Sequence, residues 1–162
     1  MTVGTKSLLF GCHQFILHPI FVFWGWCELY GIPRDPRIYV SILLHDIGYF
    51  GKEKLDDEDG EKHVELGAKI VRILFGNYWY VFTLLHSRHY ARRLNQKPSK
   101  LCYADKLAFC LTPRWLYLPM AKLSGELTEY RDNCKEYVPL NHNDNEWYNF
   151  VYNRLNKFAR GI

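Results

Sequence analysis

Apolar residues recur at helical spacing along most of this chain, and short polar breaks divide the pattern into segments. Residues 14 to 30 predict a long helix crowded with Phe21, Val22, Phe23, Trp24, Trp26 and Leu29. Pro19 lies either inside it or, if the helix starts near His18, in its first turn, where a missing N–H is tolerated. Gly31 and Pro33 end the segment. Asp35 then reads as an N-cap with Pro36 at the first helical position, and Ile38, Val40, Ile42 and Leu43 lead to the pair His45-Asp46. Alternation over 38–43 also suits a strand, but the proline start and the length to Gly48 favour a helix. A third helix is expected over 61–75, with Val64, Ala68 and Val71 on one face and His63 in its first turn. Asn77 is placed to cap a fourth, running through Val81, Leu84 and Leu85 to His86 and His89 on a common face. Pro98-Ser99 introduces a fifth over 100–112, with Asp105 beside its apolar side.

Beyond Pro113 the pattern predicts helices near 114–123 and 126–134, a polar turn from Tyr137 to Asp144, and an amphipathic helix over 145–159 that closes the core. Some seven helices and no convincing strand make an all-α fold the expectation. One domain over 1–162 is expected, with its working core at about 14–112 and closing helices at 113–160.

Composition changes this picture in a few places. With 162 residues, 48% of them hydrophobic, the chain can bury a real core. Aromatic residues at 17% leave rings over for a pocket or a partner surface, so a homodimer is plausible. The net charge of +4 is mild but uneven. Residues 53–65 hold seven acids against Lys54 and Lys62, and residues 82–106 hold six bases against Asp105 alone. The acidic stretch reads as a solvated loop. The basic one can attract phosphate, whereas a nucleic-acid binder would carry a longer stripe, so no stable nucleic-acid partner is expected. The five cysteines form no CxxC and read as reduced structural thiols. No export-type segment is visible, and Phe15 to Cys27 is short for a bilayer and holds His18 and Pro19. A cytoplasmic protein without a transmembrane segment is expected; a membrane-surface role for the aromatic segment stays open.

The candidate chemistry centres on His45-Asp46. Neighbouring side chains on a helix diverge by about 100°, but at a helix end they can converge on one ion. His18 and Asp105 sit on segments long enough to reach the same point. Together the four would make a nitrogen and oxygen shell suited to Zn, Mn, Fe or Co rather than calcium. His63 and His86 could hold a second ion with Asp46 bridging, and His89 is either a further ligand or a proton-transfer group. Arg88, Arg92, Arg93 and Lys106 are the candidate phosphate contacts, with Lys52 and Lys54 opposite; Tyr49, Tyr90 or Trp79 could stack a base. His13 and His142 read as packed, hydrogen-bonded imidazoles.

The order LLHDIG, EKHVELGAKI, LLHSRH, YADKLAF, preceded by His18, resembles the H…HD…D signature of the HD-domain metal-dependent phosphohydrolase superfamily. The resemblance covers most of residues 18–108. It implies an all-helical HD-type domain. It also implies a first metal site of His18, His45, Asp46 and Asp105, with His63 and His86 as the extra ligands of members that hold two ions. The implied cofactor is one or two divalent transition metals, and the implied substrate a small phosphorylated molecule, most often a nucleotide. His86 or His89, whichever is free of metal, would move protons, and Arg88, Arg92 and Lys106 would hold phosphate. Cyclic-dinucleotide phosphodiesterases of the family resemble HDIGK with a later GYP; here Tyr49 follows HDIG and no GYP follows His86, so that activity is not expected. Two rivals stand beside hydrolysis: a dinuclear iron oxygenase of the same fold, and a non-catalytic interaction module.

Overall fold

Helix α7 (Lys100–Leu111) is the axis around which the other elements gather. Leu101, Cys102, Ala104, Leu107 and Ala108 are all fully buried, so the helix is enclosed on several sides rather than along one stripe. In the computed structural model, which describes residues 1–134 and 143–162, helix α2 (Leu17–Tyr30) runs along one side of it. Helix α10 (Asp144–Arg160) covers another. The described residues form ten α-helices and no strand, so the fold is all-α. The remaining helices are α1 (Val3–Phe10), α3 (Pro36–Leu44), α4 (His63–Phe75), α5 (Asn77–Leu84), α6 (Arg88–Arg93), α8 (Arg114–Ser124) and α9 (Glu126–Asn133).

The departures from the expected pattern have local causes. Helix α1 adds an element in a segment whose sequence gave no strong signal; Thr2 caps it by accepting from Thr5 N–H. The expected helix from Asn77 to His89 is two helices. Gly76, in the left-handed region at φ 87°, occupies the cap position assigned to Asn77, and α5 ends at Leu84. The Ser87 hydroxyl then accepts from the N–H groups of His89 and Tyr90 and starts α6. His86 therefore lies in the turn between two helices, and it does not share a helix face with His89. Pro19 falls in the first turn of α2, and Asp35 caps α3 with Pro36 behind it. Residues 38–43 are helical. The turn expected between Tyr137 and Asp144 lies mostly outside the described residues, as does His142.

Two glycines let the backbone close around the His45-Asp46 turn. A Cβ at Gly48 would sit 2.0 Å from the carbonyl oxygen of His63, and one at Gly67 would sit 2.1 Å from that of Leu44. These approaches hold the first turns of α4 against the end of α3. Gly48→Ala or Gly67→Ala is expected to force backbone apart and destabilise by about 1–3 kcal/mol or more, read as a lowered urea midpoint. An unchanged midpoint would show that the contact is not tight.

Among the described residues, no helix is long and apolar enough to cross a membrane. Phe15, Ile16, Ile20 and Trp24 are exposed around the start of α2.

Candidate metal centre

The chain turns sharply at the end of α3. His45 keeps helical dihedrals, but Asp46 leaves the helix at φ −102°, ψ 0°, and a short 3-10 turn over Ile47–Tyr49 follows. This break is how two adjacent side chains reach one point. His18, in the first turn of α2, brings Nε2 to 3.3 Å from His45 Nε2 and 3.2 Å from Asp46 Oδ2. Asp105, from the middle of α7, places Oδ1 3.1 Å from His18 Nε2 and 3.8 Å from His45 Nε2. His45 Nε2 is 3.1 Å from Asp46 Oδ2. Four donor atoms from three parts of the chain thus lie within 4.8 Å of one another.

The second carboxylate oxygen of Asp46 faces another group. Its Oδ1 is 3.5 Å from Nε2 of His63, the first residue of α4, and 3.3 Å from Nε2 of His86. Asp46 therefore presents one oxygen to each of two adjoining donor sets.

The imidazoles are held in a common way. Nδ1 of His45, His63 and His86 each lies 2.7 Å from a backbone carbonyl three residues earlier, those of Ile42, Gly60 and Thr83. A carbonyl can only accept, so each Nδ1 carries a hydrogen and each Nε2 faces the cluster, a ligand atom whenever it carries no proton of its own. Asp46 Oδ2 is buried without a hydrogen-bond partner. Carboxylate oxygens that converge out of water need positive charge beside them, whether a proton on His45 or an ion, and nitrogen and oxygen donors suit a divalent transition metal. The residues present fit such an ion.

The electrostatics agree. Burial opposes charge on both carboxylates, yet Asp46, beside the His45 charge, and Asp105, beside the Lys106 ammonium, are held well below the ordinary carboxylate range. Burial would lower His45, but the charges of Asp46 and Asp105 outweigh it and draw that imidazole up to about 10. Burial dominates at His86, which is pushed down to about 4 and so stays neutral. Two buried carboxylates thus demand positive charge at the first group, while the second offers a neutral imidazole.

Over the cluster opens a cavity of about 100 Å³. Asp46, His63, His86 and Asp105 form its buried part; the exposed Arg88 and Arg92, with the less buried His89 and Lys106, form its outer part. Arg93 does not line it, and Lys52 is paired with Asp59 at 2.9 Å. Lys106 is less free than its charge suggests: Nζ donates to Asp105 Oδ2 at 2.8 Å and so orients that carboxylate. Of the aromatic residues suggested for stacking, Tyr49 lies against His63 with ring centroids 3.9 Å apart and the planes 10° from parallel. Tyr90 donates instead to Glu65, and Trp79 sits under Arg37, both away from this cavity.

The HD domain family model matches residues 26–111, more than half of the chain. The chain belongs to the HD-domain family. Members of this family are mostly metal-dependent phosphohydrolases. The HD pair itself is His45-Asp46, and the match also spans His63, His86 and Asp105, while His18 precedes it. No match was found among curated proteins or among solved structures.

Sequence reasoning passed over several residues of the site. His13 does behave as a packed, hydrogen-bonded imidazole, with Nδ1 2.9 Å from Ser7 Oγ and 2.9 Å from Glu126 Oε1, but it also lines the cavity. Glu61 and Asp56, from the acidic stretch expected to be solvated, line it too, and Glu61 accepts from Ser87 Oγ at 3.0 Å. Glu129 ties the same loop to α9 by accepting from the N–H groups of Leu55 and Asp56 at 2.8 and 3.0 Å. A carboxylate in an otherwise ordinary helix gives no sequence signal of such a partner.

Proposed function

We propose that this HD-domain protein is a metal-dependent phosphohydrolase acting on a small phosphorylated molecule of the nucleotide class. The observation that carries the reading is the pairing of a buried nitrogen and carboxylate cluster with a basic outer wall over one cavity. His18, His45, Asp46 and Asp105 would hold one divalent ion, and Asp46, His63 and His86 a second, with Asp46 shared. Ions held there would supply Lewis acidity toward a phosphoryl oxygen and an activated water.

The chain's own residues do the rest. Arg88 and Arg92 bind the phosphate oxygens and orient the ester, with Arg supplying a planar fork for them. Lys106 keeps Asp105 ionised and turned toward the cluster while adding positive charge to the wall. His89, half-buried in the wall and outside both donor sets, holds a proton for the leaving oxygen. His86, neutral and facing Asp46, is assigned to the ligand set rather than to proton transfer. The basic wall favours a substrate that carries phosphate. Five free cysteines are in keeping with a reducing, cytoplasmic setting.

The test is phosphate release from a panel of nucleotides and simple phosphate monoesters, with metal content measured alongside. Release that stops on chelation and returns with Mn, Co, Zn or Fe is expected, without oxygen uptake. Arg88→Ala should raise KM by about 10- to 100-fold, the size of a lost charge-assisted contact. Oxygen consumption in place of phosphate release would replace this reading with the oxygenase. Protein that binds no metal would leave a non-catalytic module.

The two donor sets also predict a stoichiometry. His63→Ala is expected to lower bound metal from two ions to one by elemental analysis, leaving the His18, His45, Asp46 and Asp105 set filled. Equal loss of both ions would show that the sets do not act separately.

A further inference from the structure

Apart from His18 and Glu28, helix α2 is apolar nearly all round, yet only part of it is covered. A helix of that kind is normally enclosed on every side. Val22, Gly25 and Trp26 face the core, whereas Leu17, Ile20 and Trp24 stand at the surface, and Phe15 and Ile16, which lead into them, are exposed as well. The bare side continues onto the neighbouring elements. The rings of Phe23 and Tyr39 lie 5.6 Å apart and join α2 to α3, where Tyr39 and Leu43 are exposed one turn apart. Ile47 and Phe50 follow beyond the His45-Asp46 turn. The Gly51 N–H donates to Thr5 Oγ1 at 2.9 Å, which brings that turn back to α1 and its exposed Leu9. The Phe15 N–H donates to the Leu8 carbonyl and closes the circuit, so these residues share one face.

Area and charge say what this face meets. Its large side chains are each between 37% and 72% exposed. With about 150–250 Å² for a whole aromatic side chain and somewhat less for Leu or Ile, they leave roughly 800–1,000 Å² bare in one place. The largest apolar patch of a typical monomer is about 300–600 Å², and a stable interface takes about 800 Å² from each partner. The face is also uncharged. Residues 7–27 and 38–51 include no Lys, Arg or Glu, and their one Asp, Asp46, is buried. At the borders, Lys52 and Arg160 are held by Asp59 and Glu28. A lipid-binding face carries clustered Lys and Arg for anionic headgroups, which these segments lack. A face without charge meets its own copy with no like-charge repulsion, and a two-fold axis lets one patch serve both partners.

We propose that this face is the interface of a two-fold symmetric dimer, covered by the same face of a second copy of the chain. The helices α2 and α3 run antiparallel here: His18 meets His45 at one end, and Phe23 meets Tyr39 at the other. Ile20 and Leu43 therefore lie near the middle of the face. None of its exposed residues lines the cavity over the donor cluster, so both cavities stay open in the dimer. His18 and His45 sit on the inner side of the same two helices, and the second copy thus backs the first donor set from behind. Such a dimer is independent of the reaction that the metal centre performs.

The test is sedimentation velocity of the full chain over a wide range of concentration. A particle of twice the 19.3 kDa of one chain is expected. The double substitution Ile20→Glu with Leu43→Glu sets like charges across the two-fold axis, at positions that are exposed in the single chain and so tolerate charge there. It should raise the dissociation constant about a hundredfold or more, with the helical circular dichroism unchanged. Ile20→Lys with Leu43→Lys should do the same. An equimolar mixture of the acidic and basic variants should recover the dimer, which a folding defect would not allow. Flotation with vesicles of phosphatidylcholine and phosphatidylserine probes the rival occupant. A native chain that stays monomeric at every concentration, whether or not it floats with those vesicles, would overturn the proposal. So would a dimer that both charged variants retain, or a mixture no more dimeric than either variant alone.

Discussion

Asp46→Ala is expected to abolish the binding of both metal ions at once and to lower metal-dependent phosphate release by at least about a thousandfold, equivalent to some 4 kcal/mol of lost transition-state stabilisation. The reason is geometric. Oδ2 of this residue faces His18 and His45, and Oδ1 faces His63 and His86, so one truncation opens both donor sets. His63→Ala opens only one. Elemental analysis of the purified variant, with circular dichroism to show retained helix, separates loss of ions from loss of fold. Retention of either ion by folded Asp46→Ala would show that the carboxylate is not shared.

The second large effect lies outside the donor sets. Glu126 is fully buried at the start of α9 and accepts from Ser7 Oγ at 2.8 Å, the Cys12 N–H at 2.8 Å and Ser124 Oγ at 2.5 Å, with His13 Nδ1 at 2.9 Å. One carboxylate thereby joins the end of α1 to the α8–α9 junction. Glu126→Ala would strand these buried donors together, and a loss of about 3–5 kcal/mol is expected, read as a lower denaturant midpoint with unchanged slope.

Its pH dependence has a fixed sign. Burial alone would raise the carboxyl, but the hydrogen bond and charge of His13, with the Ser124 and Cys12 contacts, hold it below the ordinary range. A depressed carboxyl contributes stability that is present above its unfolded value and is lost as pH falls through the folded one. Native protein should therefore weaken in acid more steeply than Glu126→Gln. Parallel acid profiles for the two would show that Glu126 does not carry this dependence.

The helices that carry the donors were legible because their signals are local. A proline behind an aspartate starts α3, apolar spacing marks α4 and α7, and the motif order around His45-Asp46 points to the HD family. The errors fall where local signals compete. Between Asn77 and His89 the helical pattern runs on, yet the backbone turns at Leu85 to Ser87, where the Ser87 hydroxyl supplies a new cap. That break puts His86 against Asp46 and leaves His89 in the outer wall. Lys106 reads as a free cation and is found bonded to Asp105, a contact between neighbours that periodicity does not report.

The chain by itself determined an all-helical fold, the HD pair and the residue types able to hold a divalent metal, because capping, periodicity and motif order are properties of nearby residues. Only the tertiary structure decided which oxygen of Asp46 meets which imidazole, that Glu126 ties α9 to the end of α1, and that Arg88, His89 and Arg92 stand over the cluster. These depend on how α2, α7 and α10 pack, and packing brings together residues whose separation along the chain carries no trace of the contact.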